Sequence, residues 1–434
     1  MNTYAEQYQS KLTIPNQIAA QIQSGQHIFT DIALSQPKAI SDAIGVRVAV
    51  EGLTGVIMNT MLDLYPMPCY QSEMAGKLTG ISWFSSAGAR KAINNGYGDV
   101  LPGYYRDFPR VIRDNLDIDV FCAAVAPMDK HGYFSMSTVG SLSKALIGKA
   151  KYIYLEVNKN LPRSLSAPVI HISQVNALCE STMPLISFPP TKMNETSIKI
   201  GELIANEIPN GATLQLGIGT IPEAVGLALK SKKNLGIHTE MFTDSMIELI
   251  ECGAVDNNCK PIHQGKSVTT FALGSQRIYD YIDDNPAIEV LPVDYVNDPA
   301  VIAQHPNFIS INSALEVDFY GQVCAESVGT NHVSGTGGQL DYVRGAVQSK
   351  GGQSFLAFFS TAKNDTISKI VPTLTSGAIV STGKNDVDNI VTEYGIARLR
   401  GRSLSARTKA LIAIAHPKFR DELIFAAKKI NIII

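Results

Sequence analysis

The sequence predicts an α/β protein made of two duplicated domains, each a mostly parallel sheet with helices on both faces. Short apolar runs alternate with helical patterns along the chain, an arrangement that yields parallel sheets. Its 434 residues exceed what one ordinary core accommodates. The two halves also match each other. Residues 37–64, PKAISDAIGVRVAVEGLTGVIMNTMLDL, align without a gap on 222–249, PEAVGLALKSKKNLGIHTEMFTDSMIEL. Pro37 meets Pro222, Ala39 meets Ala224, Met61 meets Met246 and Leu64 meets Leu249. Residues 100–112, VLPGYYRDFPRVI, agree with 290–302, VLPVDYVNDPAVI, at seven of thirteen positions. Asp129-x-x-Gly132 matches Asp318-x-x-Gly321. The offset drifts from 185 to 190 and back to 189, as a diverged duplication would. Domains at 1–185 and 186–434 follow, with the proline-bearing stretch 186–192, ISFPPTK, as the linker and the active site expected in the cleft between the domains.

In the first half, residues 27–32 read as a strand. A helix follows from Pro37, whose fixed φ suits a first turn. Residues 48–57, rich in β-branched side chains, read as a strand region. Segments 87–95 and 106–114 have helical spacing, and 120–126 and 151–157 are short apolar strands. In the second half, 195–208 is amphipathic and helical, and 211–216 is a strand that runs into a glycine turn. Residues 221–230 and 245–252 are helices, 268–273 and 288–292 are short strands, and 308–317 is one apolar strand. The apolar ending 430–434, INIII, is expected to be packed or at an interface.

Apolar residues make up 45% and charged residues 18% of the chain, the composition of a well-buried globular enzyme. A net charge of −2 argues against a nucleic-acid binder, which shows a basic face. The start, MNTYAEQYQSK, lacks the apolar core of a signal peptide, and no apolar run approaches the ~18 residues needed to span a bilayer. The six cysteines form no C-x-x-C pair, so a reducing cytoplasm is expected and disulfides are not. Cys252, Cys259 and His263 match no common zinc spacing, and no metal site is expected.

The chemistry concentrates in LGIGTIPEAVGLALKSKKNLGIHTEMFTD, residues 216–244. Gly217-Ile218-Gly219 is a glycine turn after a strand and before a helix, which offers backbone N–H groups to a phosphate or an oxyanion. Glu240 beyond it reads as a nucleophile, a ribose ligand or a surface charge. In the gapless repeat Glu240 falls opposite Gly55, and the glycine turn opposite 32–34, so both are private to the second half. A second glycine motif, Ser334-Gly335-Thr336-Gly337-Gly338, lets a backbone pass close to a ligand. Gly217-x-Gly219-x-x-Pro222 lacks the last glycine of the dinucleotide fingerprint, yet Glu240 lies about 20 residues on, so a nicotinamide-dependent oxidoreductase stays a rival. A non-catalytic ligand-binding regulator is a further rival, disfavoured by the missing basic patch. If its segment is extended, His238 shares a face with Glu240. Asp341 and Arg344 are spaced for a helix-surface pair.

Taken together, QLGIGTIPEAV, HTEMFTD, SGTGGQLDYVRGA and VTEYGIARLRG resemble the acetyl-CoA hydrolase/transferase family, and within it the 4-hydroxybutyrate CoA-transferases. Pro127-Met128-Asp129-Lys130-His131-Gly132 and Glu156-Val157-Asn158 extend the resemblance through the first half. It implies that Glu240 is the catalytic carboxylate, attacking an acyl-CoA carbonyl to give a mixed anhydride and then a glutamyl-CoA thioester. It implies that Gly217, Ile218, Gly219, Thr220 and Ile221 form one CoA-binding turn. Gly335, Gly337 and Gly338 belong to the second, with Gly338 and Asn297 supporting the oxyanion. Lys363 is a candidate for the CoA phosphates, weighed against an ordinary solvated lysine. Glu393-Tyr394-Gly395 matches the family and is expected to brace the fold. CoA would be substrate and covalent intermediate, with no permanent cofactor and no metal. The partners would be acyl-CoA and short carboxylic acids such as acetate, butyrate or 4-hydroxybutyrate, and the assembly a homodimer. An acyl-CoA hydrolase using the same Glu240 is the alternative.

Overall fold

The structure is a computed structural model, and it describes residues 3–188, 192–217 and 219–433. Its first sheet contains β1 (His27–Thr30), β2 (Val56–Thr60), β3 (Leu78–Ser82), β4 (Asp99–Val100), β5 (Val120–Val125), β6 (Tyr152–Asn158) and β7 (Ala177–Ser181). Their order across the sheet is β4-β3-β2-β1-β5-β6-β7, with every pair parallel. The second sheet contains β8 (Thr213–Leu216), β9 (Gly236–Phe242), β10 (Ser267–Ala272), β11 (Ile288–Val290), β12 (Phe308–Ser313), β13 (Gln353–Ala357), β14 (Asn389–Thr392) and β15 (Gly395–Arg398). Its order is β11-β10-β9-β8-β12-β13-β14-β15. This repeats the first pattern and adds an antiparallel edge strand, β15 on β14. The expected pair of mostly parallel α/β sheets is therefore the observed architecture.

A shared turn records the duplication at atomic detail. Asp129 and Asp318 each close a loop in which the glycine three residues on donates to the aspartate carbonyl, at 3.1 Å from Gly132 and 2.9 Å from Gly321. Each carboxylate also accepts the next backbone N–H, Tyr133 at 3.0 Å and Gln322 at 2.8 Å. Both glycines sit at φ +84°, in the left-handed region that L side chains avoid.

Where the elements differ from expectation, local packing explains it. The helix from Pro37 spans Lys38–Glu51 and ends at Gly52 with φ +69°, so residues 48–51 are helical and the strand starts only at Val56. Ile40, Ile44 and Val48 are buried at a spacing of four, while Val46 and Val50 face solvent. That 3.6-residue period outweighs the β-propensity of the valines. The expected strand over 308–317 breaks after Ser313. A second strand, Glu316–Asp318, pairs instead with Val323–Cys324.

The gapless repeat also needs a gap. The helix Lys38–Glu51 has 14 residues and its counterpart Thr220–Ala228 has 9. Strand register pairs His27 with Ile57 and Thr213 with Gly236, which matches Ile57 to Gly236 and hence Met61, not Gly55, to Glu240. Asn59 and Thr60 belong to β2, whereas Asp244 and Ser245 begin a helix.

Contact density divides the chain into Met1–Pro189 with Val268–Tyr295, and Pro190–Ser267 with Val296–Ile434. Residues 138–141 account for the excursion of Val268–Tyr295. The Gly140 and Ser141 amides donate to Thr270 O at 2.7 and 3.1 Å, and Ala272 N donates to Thr138 O at 2.9 Å. A side chain at Gly140 would overlap the Leu291 backbone. In the expected linker, Tyr279 Oη donates to Ile186 O at 2.7 Å and Phe188 N donates to Gly274 O at 2.9 Å; residues 189–191 lie outside the described residues. At the chain's end, Ile433 is buried and Ile432 packs on the core of the second unit, while Ile430 is exposed.

Placing a Cβ at φ +84° costs ~1–2 kcal/mol. Gly132→Ala and Gly321→Ala should each lower unfolding stability by about that amount, read from the urea midpoint with an unchanged slope.

Candidate active site

Strand β9 carries Glu240 near its carboxyl end. Alternation places His238 and Glu240 on one side of the strand, and both meet the chain at 296–297. His238 is fully buried and its Nε2 lies 2.7 Å from Val296 O. A carbonyl only accepts, so Nε2 carries the proton and donates. Glu240 is half-buried, and its Oε2 accepts from Asn297 Nδ2 at 2.7 Å. Asn297 follows the short helix Val293–Val296 and is fully buried. Its Oδ1 accepts from Tyr342 Oη at 3.1 Å.

The second glycine motif closes over this pair. Gly338 is the N-cap of the helix Gln339–Gln348, and its backbone N–H donates to the Glu240 carboxylate. A Cβ on Gly338 would overlap both Glu240 Oε2 and Asn297 Nδ2. The main chain is thus pressed against the carboxylate at a distance that only glycine allows. Gly337 precedes it at φ +56°, and Thr336 Oγ1 anchors the loop by donating to Glu326 Oε2 at 3.2 Å. Gly335 lies in the same loop, where its carbonyl accepts from Ser334 Oγ at 3.4 Å.

The first glycine turn sits at the same edge of the sheet. Thr213 pairs with Gly236 and Leu214 with Ile237, a register that continues to set Gly217 abreast of Glu240. Thr239 Oγ1 donates to Leu216 O at 3.5 Å, which ties the strand ends together. Gly217 N donates to Ile311 O at 2.8 Å, with Asn312 Oδ1 close behind. Gly219, at φ +121°, caps the helix Thr220–Ala228, so Thr220 and Ile221 form its first turn. Ile218 lies outside the described residues. Carboxyl ends of parallel strands are where α/β sheets bind ligands.

Burial raises the Glu240 carboxyl from an ordinary 4.5 to about 7, against the opposing hydrogen bonds from Asn297 and Gly338. A carboxylate near neutrality that is partly desolvated, with two donors on it, is suited to nucleophilic attack.

Other candidates fall elsewhere. Lys363 is exposed at φ +50° on the turn between Thr361–Ala362 and Ile367–Ser368. Asp341 is buried rather than on the helix surface, and Arg344 bonds Asp386 at 2.9 and 3.3 Å. Glu393 accepts from Ser360 N at 3.0 Å and Ser360 Oγ at 2.5 Å, a bracing contact. Among the described residues no group of three or more His, Cys, Asp or Glu side chains is placed to hold a metal, and no helix is long and apolar enough to cross a membrane. Residue patterns alone did not single out Tyr342, since a tyrosine inside an amphipathic helix reads as core. Its place four residues after Gly338 was the available signal.

The acetyl-CoA hydrolase/transferase N-terminal domain matches residues 1–188, and the C-terminal domain of the same name matches residues 274–427. The chain belongs to the acetyl-CoA hydrolase/transferase family. Among curated members, a succinyl-CoA:cyclohexane-1-carboxylate CoA transferase of Geobacter metallireducens is 43% identical, over 99% of this chain and 98% of that one. A 4-hydroxybutyrate coenzyme A transferase of Clostridium kluyveri is 39% identical over 98% and 99%. The crystal structure of RipA from Yersinia pestis, 36% identical, superposes with a TM-score of 0.93 over 99% of this chain and all of that one. This family member is therefore an enzyme, and the sheets described above are the family's fold.

Two outcomes follow for it. Gly338→Ala should cut turnover on the order of 100-fold or more, because the methyl displaces Glu240 and Asn297, while circular dichroism stays unchanged. Attack by Glu240 would use the ionised carboxylate, so kcat/KM should rise with pH through about 7 and then level off. The sign for stability is opposite: a raised carboxyl binds its proton more tightly in the folded state, so this group's contribution declines between pH 4.5 and about 7.

Proposed function

We propose that this enzyme transfers CoA from a short-chain acyl-CoA to a free carboxylic acid through a glutamyl-CoA thioester on Glu240. The observation that carries the reading is the Glu240 carboxylate held between the Asn297 amide and the Gly338 N–H. In the first step a Glu240 oxygen attacks the thioester carbonyl. The new C–O bond replaces C–S, and CoA leaves as thiolate. The thiolate then attacks Glu240 Cδ, forming the C–S bond of glutamyl-CoA and releasing the donor acid as carboxylate. The acceptor carboxylate reverses both steps and regenerates Glu240. Each addition passes through an oxyanion, for which Gly338 N–H and Asn297 Nδ2 would serve as donors. Gly217 to Ile221 and the 335–338 loop would hold CoA, with Gly219 opening the helix whose N-terminus favours negative charge. Lys363 would meet the CoA phosphates only at the periphery. Remote binding of the nucleotide would supply free energy used at the thioester.

Both curated relatives above carry CoA-transferase names, which favours transfer over hydrolysis, and one is named for a linear acid and the other for a cyclic one. Acetate, butyrate and 4-hydroxybutyrate are the proposed acceptors, and a screen that includes cyclohexane-1-carboxylate separates the two shapes. Incubation with an acyl-CoA should leave a CoA adduct on the peptide containing Glu240. Glu240→Ala should be inactive, and Glu240→Asp should lose on the order of 100-fold through its shortened reach. Double-reciprocal plots at varied acceptor should be parallel. Intersecting lines would indicate a ternary complex, and acyl-CoA loss that ignores added carboxylate would indicate a hydrolase.

A further inference from the structure

We propose that Tyr342 and His238 are positioning residues that fix the Asn297 amide with its NH2 group, rather than its carbonyl, toward Glu240. The inference rests on Glu240 being the reacting group. An asparagine side chain presents a donor on one side and an acceptor on the other, and a half-turn exchanges them. Here the orientation is also held from behind. Tyr342 Oη donates to Asn297 Oδ1 at 3.1 Å and lies 3.5 Å from Val296 O. The Glu240 carboxylate only accepts and so takes Nδ2, and the phenol O–H given to Oδ1 reinforces that rotamer from behind. His238 acts on the other flank. Its Nε2–H holds the Val296 carbonyl at 2.7 Å, which fixes the backbone leading into Asn297.

Both residues are locked in place. Tyr342 and His238 are buried, and the Tyr342 ring stacks on Phe308 at 6.2 Å. The His238 ring lies 5.0 Å from that of His305 and 6.3 Å from Phe308. Burial holds the His238 ring neutral, and the Lys260 ammonium adds to it; His305 and His263 are the other titratable groups near it. Lys260 Nζ itself donates to Ile237 O at 2.8 Å and Lys266 O at 2.6 Å. Burial also keeps His305 neutral. A neutral His238 with its proton on Nε2 is the form that can hold Val296.

The arrangement matters for reaction and not merely for packing. With the amide reversed, Asn297 Oδ1 would face the Glu240 carboxylate, two acceptors in contact. The carboxyl would then favour its protonated form, which does not attack. Tyr342→Phe keeps the ring and its stacking while removing the donor. It should lower kcat/KM about 10-fold near pH 7 and move the acid limb of the pH profile upward, with KM for acyl-CoA and the melting temperature little changed. His238→Leu should move the limb the same way, and His238→Gln, which retains a donor for Val296, should restore it. This pair decides the matter if Tyr342→Phe does not fold. A wild-type limb in folded Tyr342→Phe, or equal limbs in His238→Leu and His238→Gln, would overturn the proposal. The same experiment includes wild type and Glu240→Ala with acyl-CoA: a missing wild-type adduct or an active Glu240→Ala would refute the nucleophile itself, a separate failure.

Discussion

The site depends on the absence of a side chain at residue 338. The nucleophilic role proposed for Glu240 requires a carboxylate that loses water and yet keeps donors that favour the ionised form. Both conditions hold because main chain lies directly on Glu240. The Gly338 backbone excludes solvent from one side and supplies an N–H, and any Cβ there would occupy the space of Glu240 and Asn297. The helix Gln339–Gln348 starts at that contact, so Tyr342 arrives one turn later behind Asn297. The elevated carboxyl of Glu240 and the fixed amide of Asn297 are two results of one close approach.

Much of this was legible in the residues. Alternating patterns and the internal repeat pointed to two parallel-sheet halves, and the turns at Asp129 and Asp318 confirm that the repeat is structural. The two glycine motifs suggested a shared ligand, and the chain brings Gly217 and Gly338 to the strand that carries Glu240. Less legible was β9 itself. His238, Thr239 and Glu240 are polar residues in a strand that is almost wholly inside, so neither alternation nor an apolar run marks it. The role of Asn297 came only through family resemblance, since an asparagine after a four-residue helix has no distinctive pattern.

The errors have a common cause in insertions and tertiary partners. A gapless comparison set Asp63 against Glu248, but Asp63 is buried and accepts from Thr60 Oγ1 at 2.9 Å, whereas Glu248 pairs with Lys230 at 2.6 Å on a helix. Extra residues in the helix Lys38–Glu51 shifted the frame. The first half nevertheless still lacks a carboxylate at the position of Glu240, because Met61 stands there. Arg344 reaches Asp386 in a distant segment, which offers two oxygens to the guanidinium, a contact that helix spacing does not show.

The excursion of Val268–Tyr295 bears on how a ribosome delivers this fold. The first unit is discontinuous, so its opening 189 residues emerge without the stretch that pairs with Thr138, Gly140 and Ser141. At ~5–20 residues per second, roughly 5–20 s of synthesis separates them from Tyr295. For that interval the nascent chain presents unpaired backbone where β10 will dock, an edge open to any extended segment nearby. Order of synthesis and order of completion therefore differ: β8 and β9 of the second unit are made before the stretch that completes the first.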